Sequence, residues 1–152
     1  MLFRTEEQKK DLAGSWRRFD RSFFAAGACH VLAHEFLRRP QAGEFRPFMI
    51  VPEDGFRGSH VFASNGSVVF DYHGWSQHTQ FVEHYFRKIN RMFPGWRGAL
   101  ADISSDFWTQ KWFTDTGSRQ LHQYFVDPTQ RANLFIDRYL HRVPNHLAQP
   151  AR

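Results

Sequence analysis

The sequence predicts a single α+β domain, with helices first, a small antiparallel sheet in the middle and more helices at the end. Three observations carry that prediction. Cys29, Leu32, Ala33, Phe36 and Leu37 repeat with helical spacing. Two apolar, β-rich runs flank Asn65-Gly66, the dipeptide that most strongly signals a hairpin. A second helical stripe, Phe81, Tyr85, Ile89 and Met92, follows the hairpin and stops at Pro94-Gly95. At 152 residues the chain is long enough for one real core, so residues 1–152 read as one domain, with 144–152 a flexible tail beyond Pro144.

Each element has its own local reason. Thr5-Glu6-Glu7-Gln8 has capping-box form and opens a polar helix with Leu12, Trp16 and Phe19 on one side. The next helix runs from about Ala28 to Leu37, and Pro40 and Gly43 stop it. Phe45 to Val51 reads as a strand closed by Pro52, followed by strands Ser59 to Ser64 and Ser67 to Tyr72. Gln77 to Phe93 is helical; in the ambiguous stretch Ala99 to Phe113, Ala99 to Ile103 fits a strand and Trp108 to Phe113 fits either a strand or a helix. Asp127-Pro128 starts the last helix, with Asp as N-cap and Ala132, Phe135, Ile136, Tyr139 and Leu140 as its apolar stripe.

Composition narrows the partners. The net charge of +5 comes mainly from Arg, which outnumbers Lys by 16 to 4, yet no motif that reads DNA or RNA accompanies it. Aromatic residues make up 17% of the chain, enough to fill a core and to line a groove for acyl or peptide ligands. Trp75, Trp96, Trp108 and Trp112 are groove candidates, although most such rings fill cores. One cysteine cannot form an internal disulfide, the N-terminus lacks a signal-peptide apolar region, and no apolar run has membrane-spanning length. A cytoplasmic protein acting on a peptide or amide-bearing substrate is expected, without a membrane or nucleic-acid partner and without a cofactor. Signal-independent export would leave no trace, and the sequence encodes no sign of oligomeric state.

The chemistry centres on Cys29, at the head of its helix, where backbone N–H groups favour a thiolate and can receive an oxyanion. With a two-residue turn at Asn65-Gly66, Ser64 faces Ser67, Phe62 faces Val69, and His60 faces Asp71. Directly opposed residues share a face, with Cβ atoms roughly 4.5–5.5 Å apart. A carboxylate there can hold the imidazole tautomer and stabilise an imidazolium. Gly27 permits the close turn into the helix and the close approach of a substrate backbone. His73, two residues past Asp71, shares its face and is a second orienter or a substrate contact, as Trp75 beside it is for substrate.

Other clusters read more plainly. His30 and His34 are spaced to bind zinc if His73 or His78 joined them, but no His-Glu-x-x-His accompanies them. They read as two surface histidines with no metal, His30 bordering the cleft as a substrate contact. Asp102, Asp106 and Asp115 read as caps and turns rather than a paired-carboxylate centre.

Gly27-Ala28-Cys29-His30-Val31-Leu32-Ala33, with Ser59-His60-Val61-Phe62 and Gly66-Ser67-Val68-Val69-Phe70-Asp71, resembles small bacterial proteins of the papain-like cysteine peptidase and amidase superfamily. That superfamily includes cell-wall amidases, transglutaminase-like enzymes and papain-fold toxins. The resemblance covers roughly Ala25 to Trp75. It implies a papain-like fold and a cysteine-dependent acyl hydrolase or acyltransferase: a peptidase, amidase, deamidase or transglutaminase-like enzyme. Cys29 would be the nucleophile, His60 the general base and acid, and Asp71 the orienter. Many papain-like enzymes carry a Gln before the Cys as an oxyanion donor, but Asp20-Arg21-Ser22-Phe23-Phe24 holds none, so the second donor is unassigned. The alternative is an inactive papain-like binding or immunity-type protein that uses its aromatic, Arg-rich surface.

Overall fold

A computed structural model describes residues 3–142. The expected tail, 144–152, lies outside the described residues. The architecture is α+β, a five-stranded antiparallel sheet with helices packed on both faces.

The N-terminal third is α1 (Glu6–Lys10), α2 (Leu12–Trp16), α3 (Asp20–Ala25) and α4 (Cys29–Leu37). The Thr5 capping box forms as expected. The single polar helix does not: Asp11 ends α1 and accepts from Gly14 N–H to cap α2. Phe19 then sits at the N-cap of α3 and is 89% exposed, so it is not part of a buried stripe. Local capping by Asp11 outcompetes continuation of a short helix, which gains little from length.

The sheet comprises β1 (Arg46–Pro52), β2 (His60–Ser64), β3 (Val68–Asp71), β4 (Gly74–Gln77) and β5 (Gly98–Asp102), in the order β4-β3-β2-β1-β5. Strand β4 is missing from the sequence reading because only one residue pair, Tyr72-His73, separates it from β3 and Gln77 runs directly into α5 (His78–Met92). The ambiguous stretch splits into β5 and α6 (Gln110–Thr116), and α7 (Thr129–Leu140) closes the chain. In α7 the N-cap is Pro128, while Asp127 accepts from the Thr129 N–H one position earlier than expected.

One face of the sheet packs on α4 and α7 through Leu32, Phe36, Phe70, Phe135 and Ile136. The other face packs on α5 through Ile50, Phe62, Val69, Phe81 and Ile89. The sheet is therefore buried on both sides, which is why β2 and β3 are buried along their whole length rather than alternating.

The hairpin register differs from the one that Asn65-Gly66 predicts. Ser64 pairs with Val69 and Ala63 with Phe70, so the connection has four residues instead of two. Gly66 has φ +90°, but Asn65 does not have positive φ, and a type I′ turn needs it at both positions. Asn65 instead uses its side chain, accepting from Ser67 N–H at 2.9 Å and Val68 N–H at 2.8 Å. Ser64 Oγ fastens the other side, accepting from Gly66 N–H at 3.0 Å and donating to Val68 O at 2.8 Å. Extending that register puts Asp71 two residues from the position opposite His60. A two-residue slip keeps the face, whereas a one-residue slip would have reversed it.

Candidate active site

Cys29 opens α4 immediately after Ala28, which carries no side chain able to cap the helix. The first-turn N–H groups are therefore left without a side-chain cap beside the thiol, at the positive end of the helix. Gly27 has φ +103°, and the Arg4 guanidinium occupies the space a Cβ would take. Any other residue there would meet both backbone strain and Arg4. The Gly27 carbonyl accepts from the Tyr124 hydroxyl at 2.5 Å, which fixes the turn from the C-terminal half of the chain.

His60 heads β2 and Asp71 ends β3, each 3% exposed. The ring donates through Nε2 to Asp71 Oδ2 at 2.9 Å, since an ionised carboxylate can only accept. That bond assigns the tautomer and leaves Nδ1 for the thiol. Aromatic rings close the pocket: Tyr85 stacks parallel to His60 at 5.7 Å and Tyr72 meets it edge-on at 5.4 Å. The Tyr85 hydroxyl is itself anchored, donating to Gly58 O at 2.6 Å.

The thiol reaches this pair where the sheet opens. The β2–β3 ladder is confined to the two pairs near the turn, so the strands part toward His60 and Asp71. In the opening, Val61 N–H donates to Cys29 Sγ at 3.4 Å, giving sulfur a main-chain donor that favours its anion. Burial pushes the thiol up, but hydrogen bonding to His30 and His60 and the charge of both imidazoles bring it down to about 5. Burial likewise opposes charge on His60, yet Asp71 and the thiolate raise it to about 9. Asp71 is held at about 2, against its burial, by His60 and His73. The three groups stabilise one another as thiolate, imidazolium and carboxylate.

The other site candidates fare differently. His73 is exposed, but its N–H donates to Asp71 Oδ1 at 2.9 Å and its Nδ1 lies 3.1 Å from the same oxygen. Asp71 therefore serves two histidines. Trp75 donates from Nε1 to Tyr139 O at 3.1 Å and packs on Phe36, Phe45 and Phe70, within the α4–α7 core. His30 is not a surface histidine: it is 4% exposed, and its Nε2 donates to the Arg119 carbonyl at 2.8 Å. Helical periodicity put it on a wet face, but the segment from α6 to Tyr124 folds over that face and covers it. His34 is likewise not free at the surface, stacking on Trp108 at 3.7 Å with planes 9° apart. Among the described residues, no group of three His, Cys, Asp or Glu side chains could hold a metal ion.

Sequence reasoning missed several participants. His30 contributes a second imidazole to the thiolate, and Arg4 lies against Gly27 from a segment that carried no motif. Tyr124 and Arg119 arrive from about ninety positions downstream, a contact that no local pattern encodes. Asp102 caps Ser104 and pairs with Arg46, while Asp115 pairs with Lys111, both away from the thiol. No helix among the described residues is long and apolar enough to cross a membrane. No family model, curated protein or solved structure matches this chain.

Proposed function

We propose that this protein is a cysteine-dependent acyl hydrolase or acyltransferase of papain-like type, acting on an amide, isopeptide or thioester. One observation carries the reading: a buried His60–Asp71 hydrogen bond of 2.9 Å aims the second ring nitrogen at a thiol drawn down to about 5. A structural cysteine in an apolar core has the opposite tendency, because burial raises its pKa.

The mechanism follows from the charges. The Cys29 thiolate attacks the acyl carbon, and the carbonyl π electrons move onto oxygen. The N–H groups at the start of α4 stabilise that oxyanion. The His60 imidazolium gives its Nδ1 proton to the departing amine or thiol as the C–N or C–S bond breaks, leaving a thioester on Cys29. Neutral His60 then takes a proton from water or an incoming amine, which attacks the thioester, and the thiolate leaves. Throughout, Asp71 holds the ring and stabilises its charged form. Water as acceptor gives hydrolysis or deamidation, and an amine gives acyl transfer.

Alkylation with iodoacetamide at pH 6 tests this reading. Wild type should react quickly, with a rate that rises through about pH 5 and then levels, tracking the thiolate. His60→Ala should slow labelling at pH 6 by at least about tenfold, because the thiol returns toward its ordinary range. His30 remains to retain part of the stabilisation. Equal, slow labelling of both proteins would sink the reading. With an acyl substrate, kcat/KM should fall on both sides of a plateau between about 5 and about 9, the upper limb marking loss of the His60 proton.

A further inference from the structure

Beside the residues that precede the thiol and His60, the surface collects positive charge that Glu6 offsets only in part. A cavity of about 310 Å³ opens directly against Gly27 and Ser59, the residues before the helix turn and before His60. Its walls include Arg4, Arg57 and Lys9. A second depression of about 480 Å³ adjoins it through Phe3 and adds Arg17 and Arg18. Arg119 donates to the carbonyl of Lys9, one of the wall residues, with its guanidinium 5.9 Å from the Tyr124 ring centre.

What sets the recess apart is clustering. Elsewhere among the described residues, Arg38, Arg39, Arg46, Arg97, Arg131 and Arg138 pair with carboxylates, while Arg21, Arg87, Arg91 and Arg142 are exposed without such a partner. Among the described residues, Arg4, Arg18, Arg57 and Arg119 have no carboxylate within ion-pairing distance. Their side chains are held by other means: Arg57 donates to Arg4 O at 3.0 Å and lies 5.0 Å over the Phe3 ring. Glu6 feels the Arg57 charge but is tied to Lys9 at 2.7 Å. Burial and the charges of Arg119 and Arg18 all press against the charge on Arg4, while Tyr124 and then Cys29 favour it. Like charges fixed around a recess that borders Gly27 and Ser59 form a site that an oxyanion relieves.

We infer that this recess is the acyl-donor subsite, and that Arg4 and Arg57 bind a carboxylate or phosphate carried by the substrate close to its reacting carbonyl. The inference rests on the Cys29–His60 reading above and adds the substrate's charge. Gly27 has a role in it beyond its turn: the missing side chain lets the Arg4 guanidinium lie across the main chain next to the nucleophile. The arginine fork supplies the geometry that either oxyanion fits.

Paired alkylating agents give the test without a known substrate. Iodoacetate and iodoacetamide form the same S–C bond and release iodide, but only iodoacetate carries a carboxylate beside the reacting carbon. The ratio of their rates at Cys29 cancels any general change in thiol reactivity. That ratio should fall about fivefold or more in Arg4→Gln and in Arg57→Gln, and recover in Arg4→Lys. Arg46→Gln, opposite Ser64 at the end of β2 away from His60, should leave it unchanged. Succinate or inorganic phosphate should protect wild type against iodoacetamide more than it protects Arg4→Gln, and whichever protects better names the oxyanion. A ratio that is the same in wild type, Arg4→Gln and Arg57→Gln overturns the inference even if labelling is fast and His60-dependent. Slow, His60-independent labelling by both agents instead overturns the catalytic reading on which it rests. Should Arg4→Gln fail to fold, Arg57→Gln and protection of wild type by the two anions still decide it.

Discussion

The chain buries two carboxylates beside histidines, and they behave as opposites. Asp71 sits at the N-terminal end of α4, across from Cys29, and Glu35 near the C-terminal end of the same helix. Glu35 accepts from Asn133 Nδ2 at 2.9 Å and pairs with Arg38 at 3.3 Å, so its charge is spent holding α7 to α4. Its histidine, His34, is lowered in pKa: burial dominates, and the pull of Glu35 at 3.4 Å does not overcome it. At the other end, His60 is raised to about 9 in spite of complete burial. The difference is geometric. Asp71 meets His60 in line at 2.9 Å, and a thiolate waits at its other nitrogen, whereas His34 spends its ring face on Trp108. A buried carboxylate creates a charged histidine only where the hydrogen bond is well made on one side and an anion lies on the other.

Replacing each carboxylate by its amide is the sharpest way to break that comparison. Asp71→Asn should have the larger effect, lowering the iodoacetamide rate at pH 6 on the order of tenfold or more, because neither the His60 tautomer nor its charge is held. It should also destabilise the fold by about 1–3 kcal/mol, measured by urea unfolding at pH 7, since the amide has one acceptor oxygen where the carboxylate uses two, for the His60 ring and the His73 N–H. The pH dependence should change with it. His60, raised in the folded state, contributes stability that is full below its unfolded value near 6.5 and is lost as pH rises through about 9. Asp71, depressed to about 2, contributes above its unfolded value and loses that contribution only in strong acid. Cys29, drawn down to about 5, gains between pH 7 and 9 what His60 loses, so the difference falls in acid: between about pH 4 and 2 the amide variant should lose less unfolding free energy than wild type.

Glu35→Gln is the matched control. It keeps one acceptor for Asn133 but loses the charge facing Arg38, a pair exposed on the Arg38 side. The expected cost is about 1 kcal/mol in urea unfolding, with the iodoacetamide rate of Cys29 unaltered. A rate loss like that of Asp71→Asn would mean that the two ends of α4 are coupled, which the packing between them gives no reason to expect.

These two neighbourhoods also mark how far sequence could go. Helix α4, strands β1 to β3, α5 and α7 were legible because each has a period or a cap confined to its own residues. The shared face of His60 and Asp71 was legible too, but through a register that the molecule does not use. Asn65 solves its turn with a side chain, and the even slip left the face intact. Strand β4 gave no separate signal because no breaker stands between it and α5. The second imidazole, the arginine recess and the Glu35–Asn133 clasp depend on where α6, α7 and the first residues return. Those are long-range packing outcomes, and each joins residues with no local pattern in common.

The smallest effect on stability falls on His73, where the comparison can be refined rather than broken. Asp71 has two histidine partners, one sealed and one in water. His73 reaches Asp71 by its main-chain N–H as well as its ring, so truncating the ring removes only the second contact. Because the ring is exposed, solvent screens its charge, and its help in holding Asp71 ionised is correspondingly small. His73→Ala should therefore lower the alkylation rate at pH 6 by no more than about threefold, with urea stability within about 0.5 kcal/mol of wild type. A drop as large as that of Asp71→Asn would mean that the exposed ring, rather than the buried carboxylate, orients His60. The orienting role would then pass from Asp71 to His73.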